Sequence, residues 1–293
     1  MITYKAKNSA GQIINSVLSP FTFPAGEAHI KREDRRQIED IEIAIIQPDY
    51  TSMDSDLMHL LMWSDYLENN DPGSKRVVVM PYIPAARADR GTPFGLDVYA
   101  RVLDLVEIDQ LIVFDPHSGA SIERLSQYNT ISVVTPEDLF SGLSFGFYGP
   151  VWDGVIAPDK GAIDRASGVA QALNVELHIC EKERDFETGK LLGFKAPETL
   201  LPMGNMLIVD DICDGGGTFV GQSAAIKRSY PDIQLDLYVS HGVFSGQAAH
   251  RLSAAFETII TTNSYNPGRI LANEYSSIKR LDIIRPMLAR IEG

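Results

Sequence analysis

The chain predicts an α/β protein, doubly wound, with mainly parallel sheets. Three observations carry that expectation. Short all-apolar runs such as Val77-Val78-Val79-Met80 and Met206-Leu207-Ile208-Val209 read as strands buried on both faces. Amphipathic stretches of helical period alternate with these runs. Polar and glycine-rich residues gather just after the runs, where open α/β sheets place their ligands. At 293 residues the chain is long enough for two ordinary domains of this kind.

In chain order, Phe23-Pro24-Ala25-Gly26-Glu27 reads as a turn between two extended segments. Ile41 to Gln47 reads as a strand, and Asp56 to Leu67 as a helix with Leu57, Leu60, Leu61 and Ser64 facing inward. The strand Val77 to Met80 runs into a polar segment ending Arg87-Ala88-Asp89-Arg90. A helix over Leu96 to Val106 follows, then a strand, Leu111 to Phe114, that ends in Asp115-Pro116-His117-Ser118. The glycine-rich, aperiodic stretch between Phe140 and Trp152 marks a boundary. It divides the chain into domains over 1–145 and 146–293, with the last helix, Ile283 to Ile291, packing back on the first. In the second domain, strands fall at Val155 to Ala157, Glu176 to Cys180, Leu235 to Val239 and Thr258 to Thr261, with a helix over Ala162 to Leu173. Glu181 to about Lys195 reads as a polar loop.

The stretch from Met206 to Thr218 concentrates the chemistry. An apolar strand leads into Asp210-Asp211, then Asp214-Gly215-Gly216-Gly217-Thr218, and a helical pattern begins at Phe219. Strand, glycine loop and helix aim backbone N–H groups and a helix N-terminus at an anion. The adjacent carboxylates suit hydrogen bonds to vicinal ribose hydroxyls or to Mg²⁺ waters. A phosphorylated sugar is the ligand this pattern suits first. Gly215 also permits backbone dihedrals closed to other residues.

Composition narrows the partners. The chain is 44% apolar and 22% charged, as globular proteins are, with a formal net charge of −13. That charge argues against nucleic acid or an anionic membrane as a partner, while leaving room for a phosphate held by a local nest. Cys180 and Cys213 lie in different elements without metal-ligand spacing, which fits a reducing, cytoplasmic setting. No apolar run is long enough to span a bilayer.

The chain resembles the ribose-phosphate diphosphokinase (phosphoribosyl diphosphate synthetase) family along nearly its whole length. The motifs are FPAGEAHI at 23–30, LMHLLMWSDYL at 57–67, MPYIPAARADR at 80–90, FDPHSG at 114–119, APDKGAIDRA at 157–166, EKER at 181–184, IVDDICDGGGT at 208–218 and SHGVFSGQA at 240–248. The resemblance implies two phosphoribosyltransferase-like domains and transfer of the β,γ-diphosphoryl group of ATP to the anomeric hydroxyl of ribose 5-phosphate. It places Arg87, Asp89 and Arg90 on ATP, with Phe23 and Glu27 reaching the adenine from a neighbouring subunit of a homodimer or larger homo-oligomer. It makes His117 and Asp159 metal-binding residues for Mg²⁺, His117 also lying at the ATP site. It makes Lys182 and Arg184 catalytic cations on a loop over the reacting phosphates; two residues apart, they share one side of an extended segment. Asp210, Asp211, Asp214, Gly215, Gly216, Gly217 and Thr218 become the sugar-phosphate site.

Departures from the family pattern bear on the substrates. Ala25 stands where the family usually has Asp or Asn, and Ala88 where it usually has Gln, so adenine recognition is expected to be looser or differently made. Gly215 replaces a hydroxyl residue of the phosphate loop. Losing one hydrogen bond to a charged phosphate costs about 1.5–3 kcal/mol. The loop then holds ribose 5-phosphate through N–H groups alone, or it admits ADP-ribose, the acceptor of some phage-encoded members, which yield ADP-ribose pyrophosphate for NAD regeneration. The segment after Arg90 is shorter than is usual in bacterial members, so ADP allostery is not expected. Two other classes compete: a non-catalytic regulatory homologue, which tends to lose loop or metal residues that are present here, and a plain phosphoribosyltransferase, which does not need the Arg87–Arg90, His117 and Lys182/Arg184 groups together.

Overall fold

The computed structural model describes residues 1–49, 52–88, 91–127, 129–142, 150–184, 191–200, 202–265 and 275–292, and of 182–184 and 191–192 the backbone alone. The chain divides into two compact lobes. The first takes Met1–Val134, Ser264–Asn266 and Ile283–Gly293; the second takes Thr135–Asn263 and Pro267–Asp282.

The first lobe is built from β1 (Ile2–Lys7), β2 (Ile13–Asn15), β3 (Leu18–Thr22), β4 (Ala28–Arg32), β5 (Ile41–Ile46), α1 (Met53–Asn70), β6 (Lys75–Met80), α2 (Gly95–Asp104), β7 (Gln110–Phe114), α3 (Gly119–Leu125) and β8 (Ile131–Val134). Its sheet has the order β2-β1-β5-β6-β7-β8. β5 to β8 run parallel, and β1 is antiparallel to both β2 and β5. Every residue of β5 and β7 is buried, as expected of strands covered on both faces. Trp63, Leu60 and Leu67 of α1 fill the core, and Trp63 stacks on Tyr4 of β1 with ring centroids 5.9 Å apart. Asp54 and Asp56 sit in the first turn of α1, where carboxylates favour the helix dipole. β3 and β4 pair as a separate hairpin.

The second lobe follows with α4 (Pro136–Gly142), β9 (Gly154–Ala157), a 3-10 turn (Lys160–Ala162), α5 (Ile163–Leu173), β10 (Glu176–Ile179), β11 (Glu181–Arg184), β12 (Leu191–Lys195), β13 (Met203–Cys213), α6 (Gly217–Ser229), β14 (Asp232–Gly242), α7 (Ala248–Ser253), β15 (Ile259–Thr262) and β16 (Ile278–Leu281). Its sheet has the order β10-β9-β13-β14-β15-β16 and is parallel throughout. From β9 the chain steps outward to β10, then returns to place β13 on the other side of β9. That reversal is a topological switch point, and the crevice outside the carboxyl ends of β9 and β13 is where such sheets bind ligands. The last helix, α8 (Ile284–Leu288), belongs to the first lobe, where Gln110 donates to the Arg290 carbonyl at 2.8 Å and accepts from the Glu292 N–H at 3.1 Å.

Two elements that bear on the site differ from their sequence reading. β13 does not stop before its aspartates: its ladder to β14 pairs Asp210 with Val239, Ile212 with His241 and Cys213 with Gly242. Backbone pairing continues because β14 is equally long, whatever side chains ride on it. The segment read as a polar loop from Glu181 to Lys195 forms an antiparallel hairpin at its two ends, β11 against β12. Among the described residues, no helix is long and apolar enough to cross a membrane.

Glu42 of β5 is fully buried; Ser16 Oγ donates to its Oε2 at 2.6 Å, and the Glu39 N–H reaches Oε1 at 3.4 Å. Lost hydration pushes its carboxyl up to about 7 against the opposing effect of the Ser16 hydrogen bond. An unfolded glutamate titrates near pH 4.3, so between about pH 4 and pH 7 the folded state keeps a proton that the unfolded chain releases. Stability therefore falls as pH rises across that window, by roughly 4 kcal/mol at most. Glu42→Gln removes the effect: urea titrations at pH 5 and pH 8 should show a smaller loss than in the parent, and at pH 8 the variant should be the more stable protein.

Candidate active site

The carboxyl end of β13 presents Asp210 and Asp211. The Asp211 N–H donates to Asp210 Oδ1 at 2.9 Å, and the Ile212 N–H donates to Asp211 Oδ1 at 2.8 Å. Arg165 of α5 faces both, with Nη1 3.8 Å from Asp210 Oδ1 and Nη2 3.8 Å from Asp211 Oδ2. Burial pushes the Asp210 carboxyl well above the usual carboxylate range; the charge of Asp211 adds to the rise, while Arg165 opposes it. A paired carboxylate site of this kind is stabilised by whatever brings positive charge or hydroxyl donors to it, either a divalent ion or a vicinal diol.

The loop after the pair is fixed from outside. The N–H groups of Val243 and Phe244 donate to the Cys213 carbonyl at 2.9 and 3.0 Å. Ser245 Oγ donates to Asp214 Oδ1 at 2.5 Å, and its N–H donates to the Asp214 carbonyl at 3.1 Å. Arg251 Nη2 donates to the Gly215 carbonyl at 2.6 Å. Gly216 has φ +73°, and a Cβ there would lie 3.1 Å from Leu252 Cγ. The special dihedral expected at Gly215 therefore belongs to Gly216. Gly215 lies outside the left-handed region, and a Cβ on it would meet only Arg251 Nη2, at 4.0 Å. Gly217 and Thr218 are exposed in the first turn of α6, where helix N–H groups lack intrahelical acceptors and favour an anion.

Asp159 follows β9 and caps the 3-10 turn by accepting from the Gly161 N–H at 2.8 Å. Gln222 of α6 donates to the Pro158 carbonyl at 2.5 Å, which ties the exit of β9 to the helix of the anion loop. A cleft of about 690 Å³ is lined by Asp159, Lys160, Gly161, Ile163, Ile179, Cys180 and Glu181. Glu181 begins β11, the strand that carries Lys182 and Arg184. The β11–β12 register slips between Glu183 and Arg184, so Glu183 faces Gly193 while Arg184 faces Leu191. Burial pushes the thiols of Cys180 and Cys213 up to about 12, so neither is a thiolate at neutral pH in the protein alone.

The remaining sequence-selected residues lie in the first lobe. Phe23 and Glu27 are exposed at the tip of the β3–β4 hairpin, where the Phe23 N–H donates to the Glu27 carbonyl at 2.9 Å. The Phe23 ring stacks on His29 at 5.4 Å and meets Phe21 edge-on at 4.9 Å. Arg87 is exposed in the turn after β6, two residues past Ala85, whose φ of +54° is rare for a residue with a side chain. Asp89 and Arg90 lie outside the described residues. His117 is exposed just after β7, beyond Asp115 with φ +38°. Thus His117 belongs to the first lobe and Asp159 to the second.

Among the described residues, no group of three or more His, Cys, Asp or Glu side chains forms a ready metal cage. The oxygen donors Asp159, Asp210 and Asp211 nevertheless fit Mg²⁺, which binds one or two carboxylates and completes its shell with water and substrate phosphates. Sequence reading missed Arg165, Arg251, Ser245 and Gln222. Arg165 stands inside the APDKGAIDRA motif, but nothing in its spacing points to the aspartates of a later strand.

Residues 135–268, which carry the acidic pair and the glycine loop, match the phosphoribosyl transferase domain family. The chain is 31% identical to the ribose-phosphate pyrophosphokinase of Pyrococcus abyssi, over 94% of this chain and 90% of that protein. It is 30% identical to the enzyme of the same name from Sulfurisphaera tokodaii, over 83% of this chain and 82% of that one. Among solved structures it is similar to phosphoribosylpyrophosphate synthetase from Mycobacterium smegmatis, with a TM-score of 0.76 and 20% identity over 94% of this chain and 89% of that one, a likeness of fold. The protein belongs to the ribose-phosphate pyrophosphokinase family, the family its motifs resemble under another name.

The two loop glycines should respond differently to substitution. Gly216→Ala forces a left-handed alanine against Leu252 and should cost about 1–3 kcal/mol in urea denaturation. Gly215→Ala should stay within about 0.5 kcal/mol of the parent.

Proposed function

We propose that the protein transfers the β,γ-diphosphoryl group of ATP to the anomeric 1-hydroxyl of ribose 5-phosphate, releasing AMP and phosphoribosyl diphosphate. The observation that carries this reading is convergence at one end of the second sheet. The acidic pair, the anion loop, Asp159 and the start of the Lys182/Arg184 strand all lie at the carboxyl ends of β9, β10 and β13.

The anion loop holds the 5-phosphate through N–H groups and Thr218, which places the sugar with its diol toward Asp210 and Asp211. The 1-oxygen then forms a bond to the β-phosphorus, the β-phosphorus–oxygen bond to AMP breaks, and the hydroxyl proton is released. Lys182 and Arg184 neutralise charge on the non-bridging oxygens of the transferring group. A donor placed for the transition state contributes roughly 3–4 kcal/mol. Arg87, Asp89, Arg90 and His117 bind ATP. Exposure of Phe23 and Glu27 at a hairpin tip supports their reaching the adenine of a second copy, in a homodimer or larger homo-oligomer. Asp159 and His117 are the residues that the family resemblance assigns to Mg²⁺, which would supply charge neutralisation when bound. The domain division at 145/146 read from the sequence remains part of this proposal.

Gly215 favours a second reading. Its backbone does not require glycine, and the space beside it is open toward Arg251. The absent side chain widens the phosphate loop, which suits an acceptor whose 5-phosphate continues into a larger group, as in ADP-ribose. Each acceptor offered with ATP and Mg²⁺, with AMP release followed, decides between them. Turnover of ribose 5-phosphate is the expected result; turnover of ADP-ribose alone replaces the lead reading with the second, and no AMP with either removes both. Gly215→Thr should shift preference toward ribose 5-phosphate. Lys182→Ala and Arg184→Ala should each lower kcat by about a hundredfold or more, with a smaller change in the KM for ATP.

A further inference from the structure

We propose that Gly221 and Phe194 form a seat that positions Lys182, so that the helix of the anion loop sets the place of the cationic strand. The inference rests on the reading of Lys182 as a cation of the diphosphoryl transfer. Phe194 lies on β12 directly opposite Lys182 in the β11–β12 ladder. Its ring lies against α6 at Gly221: a Cβ built there would fall 2.7 Å from Phe194 Cε2 and 3.0 Å from Cδ2. Contacts that short are closed to any residue but glycine unless the ring moves.

Gly221 is an interior residue of a 13-residue helix. Glycine there costs about 1 kcal/mol relative to alanine, so its presence calls for a packing reason, and the Phe194 ring supplies one. A second contact holds the same segment to the same helix. The Tyr230 hydroxyl, at the end of α6, donates to the Pro197 carbonyl at 3.0 Å, and Ala196 packs against the core of the second lobe. At the other end of the hairpin, Cys180 is buried and its N–H donates to the Ala157 carbonyl at 2.9 Å. The strand facing Lys182 is therefore referenced to α6, whose first turn contains Gly217 and Thr218 of the anion loop. One rigid element spans the acceptor phosphate site and the seat. Gly221 and Phe194 are positioning residues; neither touches the reacting atoms in this arrangement.

Gly221→Ala separates this role from general folding. Alanine improves helix propensity, so urea stability should be unchanged or higher, while the ring is displaced. The expected result is a fall in kcat for AMP release of about tenfold, with the KM for ATP changed less than twofold, because displacement of a reacting group by an ångström or less acts on the chemical step. Hydrogen exchange at the amides of 191–195 should quicken. Gly221→Ala combined with Phe194→Leu should recover part of kcat, a coupling that two independent structural defects would not show. Phe194→Leu alone withdraws the ring from the seat without touching the helix and should lower kcat as well. Unchanged kcat in both single variants, or additive losses in the double variant, would overturn the proposal. If the parent protein releases no AMP with any acceptor, the function reading fails, and unchanged exchange at 191–195 in Gly221→Ala would overturn the seat as well.

Discussion

Two carboxylates side by side in a buried parallel strand are the constraint around which the second lobe is arranged. Asp210 and Asp211 are held at the end of β13 by backbone N–H groups and faced by the Arg165 guanidinium. In a low-dielectric setting, two adjacent carboxylates repel each other unless positive charge or hydrogen-bond donors reach them. Under the proposed function, that repulsion is offset by a metal-bound phosphate or a sugar diol. It also explains why the site sits where β9 and β13 part: only a switch point leaves the ends of two buried neighbouring strands open to a ligand. Arg165 reaches the pair because α5 starts from the exit of β9, one strand away.

Much of this was legible in the sequence, and the parts that were not have physical causes. The apolar runs of β5, β6, β7 and β13 name themselves because buried parallel strands need no alternation. β1 was missed although Ile2, Tyr4 and Ala6 are buried in alternation with Thr3, Lys5 and Lys7. A half-exposed antiparallel strand built on a Tyr and an Ala gives a weak period-two signal. β11 has no apolar alternation at all; Glu181-Lys182-Glu183-Arg184 becomes a strand because the partner segment supplies the pairing. The end of β13 was placed too early because the apolar run stops at Val209, whereas the ladder follows the length of β14.

The candidate site divides in the same way. Asp210, Asp211, Asp214 and the loop to Thr218 are contiguous, so a local pattern finds them. Arg165, Arg251, Ser245 and Gln222 come from other elements and act through contacts that only the folded chain creates. The resemblance to the ribose-phosphate pyrophosphokinases supplied the order of the motifs, and identity over most of the chain bears that out. It did not supply the side chains that hold those motifs in shape.

The glycines of this region show why residue type alone underdetermines role. Gly216 is required by its backbone, with a left-handed φ and Leu252 pressed against the missing Cβ. Gly221 is required by a neighbour, since an ordinary helical residue has been cut back to admit the Phe194 ring. Gly215 is required by neither: its φ is ordinary and the nearest atom to a Cβ is Arg251 Nη2 at 4.0 Å. When conformation and packing both permit a side chain, its absence is informative about what occupies the space instead. Arg251 borders that space with its guanidinium already committed to the Gly215 carbonyl, so it adds positive charge at the edge of the anion loop while keeping the loop's shape. A loop that gives up a hydroxyl donor but keeps a flanking cation loses short-range hydrogen bonding and retains long-range attraction. Under the proposed function, such a loop discriminates less by the fit around a terminal phosphate and more by charge, the basis on which the two proposed acceptors would compete for it.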